Sequence, residues 1–290
     1  MATANHIRNP FEMAVESLGR IVSDASRVNP ARVRPAPQAR PLAIRRITPA
    51  DLWDALRLGL GDLGVTREDV IFAAVIYPAA GLLLAELFLN HNWLPLIFPL
   101  ASGFALLGPV AAVGLYEISR LHEQGRPVTW RDAFGVLRSP AFGAIFLLGI
   151  FLLAIFLIWM TAADGIYNLT LGPAPPVSLR AFVHDVLTTP AGWRMVVAGC
   201  AVGFIFAAIA LSLSVVSFPL LLDRGGGVGD AVMASVRAVA ANPGAMALWG
   251  LIVAALLALG SLPALFGLIF VMPLLGHATW HLYRKVIGEA

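Results

Sequence analysis

The apolar stretches between residues 70 and 283 are too long for the helices of an ordinary soluble domain, and they constrain the fold more than any motif does. A helix of about 20 predominantly apolar residues crosses the hydrocarbon core of a bilayer. Residues 70–89, 94–116, 141–163 and 195–222 each meet that length. The last stretch, residues 245–283, would form a single helix of about 58 Å, roughly twice the core thickness, so it must fold into two. Gly260-Ser261-Leu262-Pro263 supplies the break, because glycine continues a helix poorly and proline removes a backbone donor. Spans five and six are then residues 245–261 and 264–283. Composition agrees: 59% of residues are hydrophobic and 13% charged, against about 25% charged in soluble domains.

Cytoplasmic loops hold the excess of lysine and arginine. With the N-terminus inside, only Arg180 and Arg194 of the 20 basic residues fall outside. This predicts six transmembrane helices with both termini cytoplasmic. Residues 1–45 read as a basic, largely disordered cytoplasmic region and residues 46–290 as the membrane domain. No secretory signal is expected, since the first long apolar run follows residue 69. The single cysteine, Cys200, lies within an apolar run, so no intrachain disulfide is available.

A threefold pattern precedes spans one, three and five: Asp54-Ala55 with Arg57, Asp132-Ala133 with Arg138, and Asp230-Ala231 with Arg237. Thr48-x-x-Asp51 and Thr129-x-x-Asp132 resemble capping boxes with Asp in the acidic position, and Asp230 reads as an N-cap. Leu52, Trp53, Leu56 and Leu60 in the first segment, and Val232, Val236 and Val239 in the third, recur at helical spacing and mark an apolar face. The fold class is therefore an all-α polytopic membrane bundle, arranged as three repeats of an interfacial helix and a transmembrane hairpin.

Several blocks carry a family resemblance: Gly108-Pro109 and Gly114 to Arg120, Ser217-Phe218-Pro219 to Asp223-Arg224, Asn242-Pro243 to Trp249-Gly250, and Pro273 to Arg284 with Gly276-His277-Ala278-Thr279-Trp280-His281 at its centre. Together they resemble the DUF2189 family of proteobacterial integral membrane proteins over about residues 40–287. The resemblance implies a bacterial inner-membrane location and carries no established activity. Six histidines in all, with only His277 and His281 in or beside a span, do not fit a haem–copper oxidase subunit.

His277 and His281 stand one helical turn apart on one face, where two imidazoles can approach a metal or a haem edge; interfacial polar packing is the alternative. Glu86 is the carboxylate set well inside an expected span, a candidate for proton or cation handling. Glu117, Arg120, Asp132, Arg138, Asp223, Arg224, Asp230 and Arg237 form a candidate cytoplasmic-face network, in which Glu117 with Arg120 and Asp223 with Arg224 pair with charges of the interfacial helices. Gly225-Gly226-Gly227 lacks the ending of a phosphate loop and reads as a helix exit. Prolines 78, 99, 109, 219 and 273 are expected kinks. The spacing Gly199-x-x-x-Gly203 permits close helix contact or self-association.

These residues point away from an enzyme and toward a non-catalytic scaffold or accessory subunit of a membrane complex. A small-solute or lipid transporter is the alternative and a haem- or metal-associated respiratory component the third. Expected partners are anionic lipid headgroups and a membrane protein or a second copy, with no nucleic acid.

Overall fold

Prolines decide where the long apolar runs bend. The computed structural model describes residues 42–65, 91–262 and 267–288, and their regular structure is helical. The helices are α1 (Pro49–Val65), α2 (Ile97–Phe104), α3 (Gly108–Ala111), α4 (Val113–Glu123), α5 (Phe142–Thr170), α6 (Leu179–Thr188), α7 (Pro190–Ser214), α8 (Ser217–Arg224), α9 (Val228–Ala241), α10 (Pro243–Ser261) and α11 (Leu268–Val286), with a 3-10 helix at Trp130–Arg138. Pro109 cannot donate to the carbonyl of Ala105, and the chain there tightens into 3-10 turns before α3. Pro219 likewise frees the Val215 carbonyl, and α7 gives way to α8 at Val215-Val216. The amide of Val216 is satisfied across the break by Ser235 Oγ at 3.2 Å. Helix α8 ends at Gly225, whose φ of +68° suits glycine, so the glycine run is the helix exit expected of it.

Four helical stretches among the described residues are long and apolar enough to cross a membrane: Leu94–Glu123, Phe142–Thr170, Pro190–Arg224 and Pro243–Ser261. They correspond to expected spans two to five. Expected span one, with Glu86 and Pro78, lies outside the described residues. The residues of expected span six form α11, which is not among the four: its second half carries His277, His281, Arg284 and Lys285. Helices α10 and α11 are separated where expected. A Cβ on Gly260 would meet the Gly267 backbone at 3.3 Å, which brings the two helix ends together.

The three segments expected to precede spans one, three and five pack in a regular way. Helix α1 lies antiparallel along the second half of α11, the 3-10 helix packs on α4, and α9 packs on α8; α4, α8 and α11 pack on one another. The faces turned inward are mostly not the apolar ones read from the sequence, of which Leu52 alone in α1 is fully buried. In α1 the buried positions are Leu52, Ala55, Gly59 and Asp62, while Trp53 is 68% and Leu60 59% exposed. In α9 they are Ala231, Ala234, Ser235 and Ala238, with Val236 exposed. In the 3-10 helix Ala133 faces Gly114, while Trp130, Phe134 and Leu137 point out. Small residues line these contacts because they let backbones approach closely, and hydrophobicity alone does not drive helices together in lipid. Leu52 and Val136 are buried, while Trp53, Leu60, Trp130, Phe134, Leu137 and Val236 point outward.

Caps follow the sequence in two of the three segments. Thr129 and Asp132 form a capping box, and the Thr48 amide donates to Asp51 Oδ2 at 2.8 Å. That backbone hydrogen bond is the main reason the Asp51 carboxyl sits below its usual range. Asp230 is not the N-cap: Gly227 holds that position and Asp230 stands in the first turn, where its charge complements the helix dipole.

Asn242 joins the chain ahead of α1 to the junction of α9 and α10. Its Oδ1 accepts from the Ile47 amide at 2.8 Å, and its Nδ2 donates to the carbonyls of Arg45 at 3.0 Å and Ala238 at 3.1 Å. Asn242→Ala removes these partners from the part-buried Ile47 amide and Arg45 carbonyl and from the buried Ala238 carbonyl and is expected to cost about 2 kcal/mol, measured by denaturant unfolding of the purified protein in detergent. Asn242→Asp, which keeps the acceptor for Ile47, is expected to retain part of that stability.

Candidate functional site

Where α1, α4 and α11 meet, one carboxylate organises three histidines and a serine. Asp62, 5% exposed, comes from the inward face of α1. Its Oδ1 accepts from His122 Nδ1 at 2.7 Å, and its Oδ2 from His281 Nε2 at 2.8 Å and from Ser119 Oγ at 2.5 Å. His277 Nδ1 lies 2.8 Å from Ser119 Oγ. The spacing of Ser119 and His122 on α4, and of His277 and His281 on α11, puts each pair on one helix face. Gly59, one turn before Asp62, allows the approach: a Cβ there would stand 2.6 Å from the Ala278 amide nitrogen.

Burial raises the Asp62 pKa, but hydrogen bonds from His281, Ser119 and His122 outweigh it and bring it from 3.8 down to about 2. The carboxylate is therefore ionised at neutral pH and only accepts. Ser119 gives its hydroxyl proton to Asp62, so His277 is assigned as the Nδ1–H donor to Ser119. His122 and His281 each turn one N–H toward the carboxylate. Serine, histidine and aspartate are in contact here without the order of a hydrolytic triad, in which the acid orients the histidine and the histidine takes the serine proton. Ser119 and His277 are also fully buried, which leaves a substrate no approach to the hydroxyl. No group of three or more His, Cys, Asp or Glu side chains among the described residues is arranged to hold a metal ion.

The expected pair His277 and His281 is thus part of the site, and Asp62, Ser119 and His122 are the residues sequence reasoning missed. A signal was present: Asp62 falls on the same stripe as Leu52, Ala55 and Gly59, an acid on a helix face otherwise made of small or apolar residues.

The expected charge network is only partly assembled. Glu117, Arg120, Arg138, Asp223 and Arg224 line one recess of about 400 Å³ between α4, the end of the 3-10 helix and α8. Glu117 takes a bidentate pair from Arg120, at 2.7 and 2.8 Å. Asp223 accepts from Tyr283 Oη at 2.7 Å and faces Arg284 Nη1 at 3.7 Å. These acids therefore pair within α4 and across to α11, not with the interfacial helices as expected. Asp132 serves its capping box, and neither Asp230 nor Arg237 lines the recess. Arg284 also meets Glu123 at 3.0 Å, and Trp280 Nε1 donates to the same carboxylate at 3.1 Å, a second tie between α11 and α4.

Apolar helices of this length, joined by polar ends that pair with one another, define a multi-pass, all-helical integral membrane protein. Residues 97–223 match the family model described as "Predicted integral membrane protein (DUF2189)". The match takes in the blocks Gly108–Arg120 and Ser217–Asp223, while Asn242–Gly250 and Pro273–Arg284 lie beyond it. No curated protein and no solved structure matches the chain.

Proposed function

We propose that this protein is a six-span inner-membrane scaffold or accessory subunit, built as three repeats with both termini in the cytoplasm. The supporting observation is the use made of its polar side chains. Asp62, Glu117, Glu123 and Asp223 bind groups of their own or neighbouring helices, so the ionisable residues hold helix ends in register. No buried side-chain nitrogen or oxygen among the described residues lacks a hydrogen-bond partner. Such closure suits a rigid body that presents surfaces to a partner. The repeat reading draws on the three small-residue contacts, α1 on α11, the 3-10 helix on α4 and α9 on α8, each with bulky apolar residues outward at the depth of an interfacial helix. The test is gentle detergent extraction from the native membrane followed by mass spectrometry. A stoichiometric membrane-protein partner supports the scaffold reading, and a solitary protein, alone also after crosslinking in the intact membrane, overturns it.

A second reading, a haem- or metal-associated component, draws on Asp62 bonding one nitrogen of His122 and one of His281. Carboxylates behind imidazoles orient metal-binding histidines in this way. An absorption band in the same preparation that is lost in His122→Ala or His281→Ala supports it; a colourless, metal-free sample removes it.

A further inference from the structure

The recess between α4, the 3-10 helix and α8 holds cations that its acids do not neutralise. Both oxygens of Glu117 are taken by Arg120, and Asp223 by Tyr283 and Arg284. The Arg138 side chain makes no hydrogen bond or ion pair among the described residues, and Arg138 is exposed. Among the described residues the Arg224 side chain reaches the Gly288 carbonyl at 3.3 Å and Asp223 at 3.8 Å. Ser139 Oγ accepts from the Ala141 amide at 3.2 Å, which leaves its hydroxyl proton to donate. Two guanidinium forks and a hydroxyl thus border a cavity of about 400 Å³, within the range of small-ligand sites. Its place in the fold matters equally. Three candidate spans end around it, at Glu123, Phe142 and Arg224, which sets it at the depth where apolar helix gives way to polar chain.

We propose that this recess binds a phosphate group through Arg138 and Arg224, supplied by an anionic lipid headgroup. Guanidinium forks match phosphate oxygens bidentately, and a ligand at this depth needs a charged head beside apolar chains. Helix α5 starts beside Ala141, which lines the recess, and exposes Phe146, Ile150 and Leu153, an apolar surface that suits acyl chains.

The experiment uses the full chain in a neutral detergent. Its probes are a short-chain phosphatidylglycerol, the diacylglycerol of equal chain length, and inorganic phosphate, read by native mass spectrometry and thermal shift. Phosphatidylglycerol is expected to bind and raise the melting temperature, and the Arg138→Gln/Arg224→Gln variant to bind at least tenfold more weakly. Arg237→Gln, an exposed arginine outside the recess, is expected to bind like the unmodified protein, which separates the site from general attraction of anions. Binding of phosphatidylglycerol well above inorganic phosphate identifies a lipid headgroup, and equal binding of the two identifies a free-phosphate site with the same donors. Equal binding of diacylglycerol, or undiminished binding in the double variant, overturns the proposal. If the double variant does not fold, Arg138→Gln, which breaks no bond, decides the matter by the same measure.

Discussion

Asp62→Ala is expected to lower stability by about 3–5 kcal/mol, the usual cost of removing one partner from a buried, hydrogen-bonded ionic group. The substitution strips the acceptor from His122, His281 and Ser119 together and so unties α1 from α4 and α11. Equilibrium unfolding in mixed micelles measures it. Asp62→Asn keeps the shape but turns an amide N–H toward one of three donors, and is expected to fall between alanine and the native residue. A loss under 1 kcal/mol for Asp62→Ala would mean that the cluster does not hold these helices. The pH dependence gives a second reading of the same group. Its carboxyl titrates at about 2 when folded, against 3.8 as the ordinary value. A depressed folded pKa contributes stability that is complete above the unfolded value and is lost as pH falls through the folded one. The contribution, about 2 kcal/mol, is therefore expected to disappear between about pH 4 and pH 2. The stability gap between the native protein and Asp62→Asn should narrow over that interval.

The helices and several of their breaks are legible in the sequence, as is the pair His277 and His281, whereas the faces by which α1 and α9 pack on other helices are not. Apolar runs and prolines are local signals: Pro109 and Pro219 act on their own neighbourhoods, and α10 ends at Ser261. The inward faces of α1 and α9 are not local. In water a stripe such as Trp53 and Leu60 would seek the core, whereas lipid satisfies it and leaves small residues to make the contacts. Asp62 was passed over because its meaning lies in partners 57 to 219 residues away. Of the charges expected to form one network, Glu117, Arg120, Arg138, Asp223 and Arg224 share a recess while Asp132, Asp230 and Arg237 do not, because spacing does not tell which charges pair. Glu117 found Arg120 one turn along its own helix, and Asp223 found Tyr283 on α11.

That difference between faces yields the most discriminating test on a single helix. Gly59 and Gly61 are two positions apart in α1, and a helix turns so that they look in nearly opposite directions. A Cβ on Gly59 would lie 2.6 Å from the Ala278 nitrogen and 2.9 Å from its Cα, both backbone atoms, whereas a Cβ on Gly61 meets nothing within 4 Å. Backbone atoms do not yield as a flexible side chain would, so Gly59→Ala must push α1 away from α11, at a cost of about 1–3 kcal/mol or more. The shift also lengthens the bonds of Asp62, which rides on the next turn of the same helix face. Gly61→Ala has no such neighbour, and alanine is the better helix former by about 1 kcal/mol. The two variants are therefore expected to move stability in opposite directions, Gly59→Ala down and Gly61→Ala up, in the same unfolding measurement. Equal effects at the two sites would mean that α1 is not seated on α11 through Gly59, and the placement of Asp62 among the histidines would fall with it.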